Sequence, residues 1–116
     1  MMSNAEYLAV AEALYTHIEE IIDGFMLSDD IAIDYENCAG VITIDCEDTD
    51  TKVIISRQQA TQQIWVAAKS GGFHCVYDEG KQWRCTKTQE TLGDLLTRVC
   101  TEQSSQPVPF NSVDAL

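Results

Sequence analysis

Basic residues are missing from the first part of this chain, where no lysine or arginine precedes Lys52. Thirteen of the nineteen aspartates and glutamates lie before that position, and the formal net charge of the 116 residues is -12. Nucleic acids and anionic membrane surfaces are bound through basic footprints, so this distribution argues against both as partners. The rest of the chain is close to neutral, which assigns the negative charge to one part of the molecule.

Several other signals are also absent. No apolar run reaches the length of a membrane span, and no basic segment precedes the apolar residues of the N-terminus, so we expect neither a signal peptide nor a transit peptide. The five cysteines show no CxxC motif and no Cys/His zinc spacing, and an odd number suits a disulfide framework poorly. Reduced thiols and a cytoplasmic location are therefore expected. The sequence also lacks a recognisable Ser/His/Asp set or a phosphate-binding glycine loop, and we expect a protein that is not an enzyme.

Two amphipathic helices are predicted, one near each end of the chain. The first begins at a capping box formed by Ser3 and Glu6, carries apolar residues at three- and four-residue steps, and is expected to end near Gly24. The second follows the capping signature of Thr91 and Asp94 and is expected to end near residue 102.

Between the helices, short runs of alternating apolar residues are separated by turn residues. The runs are IAIDYE, VITIDCE, KVIISR, QQIWVAAK, FHCVYDE and QWRCTKT. Their close spacing favours an antiparallel meander over parallel βαβ units. The predicted fold class is α+β, a two-layer α–β sandwich in which the N- and C-terminal helices pack on one face of an antiparallel β-sheet meander. Cys46, Cys75 and Cys85 are expected in its core, and the second face of the sheet is left to solvent or to a partner.

The length of the chain fits one domain. We assign it to residues 1–110 and treat residues 111–116 as a C-terminal tail. The segment QSSQPVPFNSVDAL contains both prolines of the chain and is predicted to be extended.

The acids of the first helix and of the segment after it are predicted to form one surface, the acidic ridge. Its members are Glu12, Glu19, Glu20, Asp23, Asp29, Asp30, Asp34 and Glu36. On an ideal helix, Glu12, Glu19 and Asp23 fall within about 40° of one another around the helix axis. A solvated polar face is the alternative interpretation, but the lack of interleaved bases favours a function. Either a weakly held hard cation or a basic protein surface could neutralise the ridge.

Trp65 is predicted on the open face of the sheet. If Ile64 and Val66 point to the core, Gln63 and Trp65 point away from it, and His74 on the next strand joins them. Such a tryptophan serves as an interface anchor or is covered by a neighbouring side chain or by the tail. Both interpretations stay open at the level of the sequence.

The order of these motifs resembles the frataxin family, in particular its bacterial CyaY type. The resemblance is carried by the acidic helix and first strand, then by SRQQATQQIW, KSGGFH, WRC and TLGDLLTRV, and covers about residues 6–110. The chain departs from the family at Ser56, where asparagine is usual, and at Ala60, where proline is usual. The link GFMLSDD is also longer and more apolar than in the family.

The resemblance implies a site and a role. It implies that the acidic ridge binds iron weakly, as Fe2+ or Fe3+, and docks on the cysteine desulfurase that works with the iron–sulfur scaffold protein. The residues that it assigns to partner binding are Glu19, Glu20, Asp23, Gln58, Gln63 and Trp65, and the expected strand pairing adds His74 to them. We expect a monomer, with iron-driven oligomers left open.

Three hypotheses about function follow. The first is an iron-binding regulator or adaptor, similar to an iron chaperone, in iron–sulfur cluster assembly. The second is a carboxylate-based ferroxidase or iron-storage protein, which would need an enclosed cluster of carboxylates and histidines. The third is an acidic inhibitor with no role for metal.

Overall fold

A computed structural model describes residues 2–115 of the protein. The outer ends of the predicted domain and of the predicted tail, residues 1 and 116, lie outside that range. The elements in chain order are helix α1 (Asn4–Ser28), strands β1 (Ile33–Cys38), β2 (Val41–Cys46), β3 (Thr51–Gln58), β4 (Gln63–Ala68), β5 (Gly71–Tyr77) and β6 (Trp83–Cys85), and helix α2 (Leu92–Ser104). Two short 3-10 helices, Gln59–Thr61 and Asn111–Ala115, complete the described range. Neither α1 nor α2 has the length and apolar composition of a membrane span.

The strands form one six-stranded antiparallel sheet in which spatial order equals chain order. Short turns connect successive strands, so each strand pairs with the one before it, as the alternating pattern predicts. Both helices cover the same face, and the α+β sandwich is confirmed. The core between the two layers includes Leu14 and Ile18 of α1, Ile44 and Ile55 of the sheet, and Leu95 of α2, each fully buried. The predicted burial of Cys46, Cys75 and Cys85 is also confirmed.

The expected end of the first helix near Gly24 is wrong, because α1 continues to Ser28. Asp29 ends the helix by adopting a left-handed conformation with φ 58°, and its N–H donates to the carbonyl of Phe25. The additional turn places Phe25 edge-on against Phe110 at a centroid distance of 5.9 Å. The additional turn of α1 is therefore stabilised by a contact with a residue 85 positions later in the chain. The expected end at Gly24 rested on the local preference of glycine for helix ends, which carries no information about that contact.

The C-terminal segment, predicted as extended, instead packs along the helical layer. Val108, Phe110 and Val113 are buried. The Thr101 hydroxyl accepts the Val108 N–H at 3.0 Å, and the Thr97 hydroxyl accepts the Phe110 N–H at 2.8 Å. The apolar side chains of the segment are thus removed from water, and two of its backbone N–H groups are hydrogen-bonded to α2.

Asp114 joins the end of the chain to the start of α2. Its carboxylate accepts the Thr91 hydroxyl at 2.7 Å and the Gly93 N–H at 3.0 Å. A helix N-terminus exposes unpaired N–H groups and partial positive charge, so a carboxylate there is stabilising. A Cβ on Gly93 would lie 2.6 Å from Asp114 Oδ2, which explains why a residue without a side chain occupies this position.

We expect Asp114→Ala to lower the free energy of unfolding by about 1 to 2 kcal/mol, because α2 loses its N-terminal acceptor. Gly93→Ala should destabilise the wild-type chain but not the Asp114→Ala chain, where the clash is gone and alanine is the better helix former by about 1 kcal/mol. Urea denaturation of the four proteins of this double-mutant cycle measures the coupling. Strictly additive costs would contradict the contact. Glu79→Ala, at an exposed position on the β5–β6 turn, serves as the control.

Candidate functional site

Tyr35 lies where the helical part of the acidic ridge meets the sheet. β1 is an edge strand, and its alternation turns Tyr35 toward the helical layer while Asp34 and Glu36 point to the open face. The pKa of the Tyr35 hydroxyl is raised above its ordinary value, first by partial burial, then by its hydrogen bond with Asp23 and by the negative charges of Asp23, Glu19 and Asp34. The negative charges of α1 and β1 therefore act together on one phenol at the sheet edge.

Other acids of α1 extend the ridge without joining this group. Glu12 shares the helix flank of Glu19 but lies seven residues earlier, about 10 Å along the axis. Glu20 is exposed and is turned about 100° from Glu19, toward solvent and away from the buried stripe. These two side chains lengthen and widen the negative surface.

The turn after α1 brings one of its two aspartates to the ridge. Asp29, the residue that ends α1, lines a shallow depression together with Ile33, Asp34 and Glu47. Asp30 is exposed beside it but does not line the depression.

Asp34 and Glu36 place the ridge on both sides of the sheet edge. Because they point to the open face and Tyr35 points to α1, the negative surface passes around β1 from the helix flank to the sheet. Antiparallel register sets Asp34 opposite Asp45 of β2. Like charges directly opposite one another in a sheet are destabilising, so this surface has a cost in stability.

The open face carries the predicted aromatic platform. Trp65 and His74 are cross-strand partners and stack with a centroid distance of 4.3 Å and an interplanar angle of 8°. The Trp65 indole N–H donates to the Gln63 side-chain oxygen at 2.7 Å. Gln58 lies opposite Gln63 and donates to the Ser56 hydroxyl at 3.3 Å. Residues 108–110 of the C-terminal segment pack against α2 on the other side of the sheet and do not cover the aromatic pair.

Comparison with known proteins identifies the family. A family model described as a Frataxin-like domain matches residues 1–106. The chain belongs to this frataxin-like family. It is similar to the iron-sulfur cluster assembly protein CyaY of Stutzerimonas stutzeri, with 42% identity over 97% of this chain and 98% of the relative. Its similarity to the protein of the same name from Pseudomonas aeruginosa is 41% identity over 94% of this chain and 97% of that protein.

Two solved structures show the same frataxin fold. Frataxin from Psychromonas ingrahamii superposes with a TM-score of 0.81 and 30% identity, covering 94% of this chain and 98% of that one. Trimeric yeast frataxin gives a TM-score of 0.68 at 24% identity, covering 84% and 80% of the two chains, and supports the fold alone. The predicted membership in the frataxin family, of bacterial CyaY type, is confirmed.

Sequence reasoning missed a second group of acids in this frataxin-like domain. Asp45, Glu47 and Asp50, from β2 and the turn after it, line a depression that also includes Asp34. The missed signal was available, because alternation puts Asp45 on the open face and a short β1–β2 turn brings it opposite Asp34.

Within the described residues, Lys52 of β3 is the base that pairs with this second group of acids. It forms an ion pair with Asp45. Its pKa is raised, mainly by the hydrogen bond and charge of Asp45, with smaller contributions from Asp50 and Glu36. Among residues 2–115, Asp34 forms no ion pair, so the charge of β1 remains available to a partner from outside the chain.

The chemistry of the ridge suits a loosely held cation as cargo. Within residues 2–115 no three His, Cys, Asp or Glu side chains converge on one point at metal-binding distance. Carboxylate oxygens are the preferred ligands of hard cations, and Asp23 and Asp34 present them at the surface. Ferrous or ferric iron held by such scattered carboxylates keeps much of its water, so the donor set fits weak binding and not a closed cage.

Proposed function

We propose that this protein is a non-enzymatic, iron-binding regulator of iron–sulfur cluster assembly that docks on the cysteine desulfurase through the acidic ridge. The observation that carries the proposal is the meeting of acids at one sheet edge, where Asp29, Asp34 and Glu47 line one depression. The charges of Glu19 and Asp23 act on Tyr35 beside it. The names of its CyaY relatives, which are iron–sulfur cluster assembly proteins, support the same process.

The complementary surface on the desulfurase is a basic groove. A continuous negative surface accelerates the encounter with a positive one and orients the complex, while an apolar anchor slows its dissociation. The Trp65–His74 platform, with Gln58 and Gln63 beside it, is our candidate for that anchor and contacts the desulfurase or its scaffold protein. Asp34 and Glu36 of the ridge point to the same open face as the platform on β4 and β5, so one partner assembly can contact both.

Iron and the desulfurase would use the same oxygens. A cation on the ridge screens or bridges the carboxylates and changes their attraction to the basic groove. This competition is a physical route by which iron availability alters cluster assembly. Binding of iron between carboxylates of two copies would give the iron-driven oligomers, whereas the metal-free protein is proposed to be a monomer. The free state of all five cysteines favours a reducing compartment, the cytoplasm.

A ferroxidase or iron-storage function requires a different arrangement. Such chemistry depends on enclosed carboxylate and histidine clusters that hold iron at short distances. Here the ridge side chains are exposed or half-buried at the sheet edge, and His17 lies on another flank of α1, hydrogen-bonded to Ser112 at 3.0 Å. We therefore favour the regulator.

Calorimetric titration of the desulfurase with this protein tests the proposal. Raising the salt concentration from about 0.05 M to about 0.5 M should weaken binding by roughly tenfold or more, because screening shortens the reach of exposed charges. Ferrous iron added anaerobically should shift the same dissociation constant. Affinity indifferent to salt would exclude the ridge as the docking surface, and affinity sensitive to salt but indifferent to iron would favour the acidic inhibitor without a metal role.

A further inference from the structure

Two buried thiols face each other at the edge of the sheet opposite the acidic ridge. Cys75 of β5 and Cys85 of β6 are direct cross-strand partners. Both are free thiols and both are fully buried. Neither belongs to the ridge or to the aromatic platform, so the proposed function leaves them unexplained.

The hydrogen-bond register puts this pair at the close-approach position of the ladder. The Thr86 N–H donates to the His74 carbonyl at 2.9 Å, which makes residues 74 and 86 a hydrogen-bonded pair. Antiparallel pairs alternate, so Cys75 and Cys85 form the adjacent pair without hydrogen bonds, where Cα atoms are about 4.5 Å apart and side chains are closer. A disulfide spans Cα separations of roughly 4.4 to 6.8 Å, so the backbone is already arranged for one.

The two thiols differ in reactivity. Burial acts to raise the pKa of Cys85, but hydrogen bonds to its sulfur from the Thr88 hydroxyl and from the N–H groups of Thr88 and Lys87 outweigh burial, and the pKa is lowered. Burial raises the pKa of Cys75 to about 12, with further contributions from Cys85 and Glu90. Cys85 is therefore the better nucleophile, and Cys75 stays protonated beside it.

Oxidant can reach the pair through the edge of the sheet. β6 is a three-residue strand that pairs with β5 on one side. On its other side the chain turns back through the bridge between Arg84 and Thr91 and the hydrogen bond from the Cys85 N–H to the Glu90 carbonyl at 2.8 Å. Residues 86–89, which follow it directly, are exposed. Short edge strands open locally at low cost, and one such opening uncovers Cys85 without unfolding the core.

We propose that Cys75 and Cys85 form a reversible intramolecular disulfide when the protein meets hydrogen peroxide. The Cys85 thiolate attacks one peroxide oxygen, the O–O bond breaks, and with one proton the products are a Cys85 sulfenic acid and water. The Cys75 sulfur then attacks the Cys85 sulfur, its proton leaves with the hydroxyl as a second water, and the S–S bond forms. The two thiols lose two electrons and hydrogen peroxide gains them.

The bond would join the edge strand to the strand that carries His74. It would fix β6 and the turn to α2 against β5, directly behind the aromatic platform. The other cysteines lack this arrangement. Cys38 lies opposite Val41, and Cys46 and Cys100 belong to different layers, on β2 and α2.

Peptide mapping of the full chain tests this proposal. The reduced protein carrying Cys38→Ser, which removes the exposed thiol, is treated with hydrogen peroxide in the presence of a chelator, alkylated and digested with trypsin. Cleavage after Lys69, Lys81, Arg84 and Lys87 isolates the two cysteines in peptides 70–81 and 85–87. We expect these peptides joined, a mass loss of about 2 Da in the intact protein for the two hydrogens removed, and reversal by dithiothreitol.

A trapping experiment tests the order of the two steps. Cys75→Ser should accumulate a Cys85 sulfenic acid that dimedone labels, whereas Cys85→Ser should label several-fold less at Cys75. The peptide map described above is made on protein that keeps both Cys75 and Cys85. Its result therefore does not depend on whether Cys75→Ser and Cys85→Ser fold. Peroxide-treated protein in which the joined peptides are absent, or in which Cys46 is joined to Cys100 instead, would overturn the proposal. Equal dimedone labelling of the two variants would overturn the assigned roles.

Discussion

A Phe110→Ala variant is expected to lose about 3 to 5 kcal/mol of its free energy of unfolding, as large-to-small changes of buried aromatic residues do. Phe110 is fully buried, although it follows two prolines in a segment that the sequence predicts to be an extended tail. Its ring packs edge-on against Phe25, and its N–H is held by the Thr97 hydroxyl. The variant loses the transfer of the ring from water and leaves a cavity between α1, α2 and the C-terminal segment. Urea denaturation followed by far-UV circular dichroism measures the loss.

The neighbouring positions provide matched controls. Pro109 and Asn111 flank Phe110 on the same segment but are exposed, so Asn111→Ala and Pro109→Ala should each change the stability by less than about 1 kcal/mol. A Phe110→Ala cost as small as these would mean that the segment is not part of the core. An unchanged m-value would indicate that the variant still unfolds as one unit.

Replacing Glu19, Glu20 and Asp23 by lysine should weaken desulfurase binding by about 100-fold or more, because three attractive contacts with a basic groove become repulsive. The three positions lie on the flank and top of α1, outside its buried stripe. The fold should therefore survive, and a thermal melt of each variant verifies that it does. The affinity is measured by calorimetry at low salt, where exposed charges act most strongly.

A second triple variant separates the position of the charges from their number. Glu79→Lys, Asp94→Lys and Glu102→Lys alter the net charge by the same amount but lie on the β5–β6 turn and on α2, away from the ridge. This control should bind within a few-fold of the wild-type chain. Similar losses in both variants would show that overall charge, and not the ridge, attracts the partner.

The element pattern was accessible from the sequence because it depends on local physics. Two capping signatures mark the starts of both helices, and in the structure the hydroxyls of Ser3 and Thr91 cap them. Period-two alternation assigned the inward positions of the strands, including the buried cysteines. Antiparallel order followed from the shortness of the turns. These features are set by neighbours within a few residues, which a single sequence displays.

The candidate site was predictable in part. The aromatic pair on the open face followed from alternation and turn length, and the structure places Trp65 on His74. The contribution of Asp45 and Glu47 was missed, because the run VITIDCE was interpreted only as a strand and its acids were not traced to the open face beside Asp34. The action of Asp23 and Asp34 on the same tyrosine, Tyr35, depends on how α1 lies across β1, which the sequence does not reveal.

The sequence by itself determined the separation of charge and the alternation of apolar residues. Both are properties of residue order, and they are the same however the helices and strands pack. Only the tertiary structure decided where α1 ends, where the C-terminal segment packs, and which carboxylates share Tyr35. Each of these depends on contacts between residues far apart in the chain, such as Phe25 with Phe110. Their free energy arises from burial that exists only after the layers have assembled.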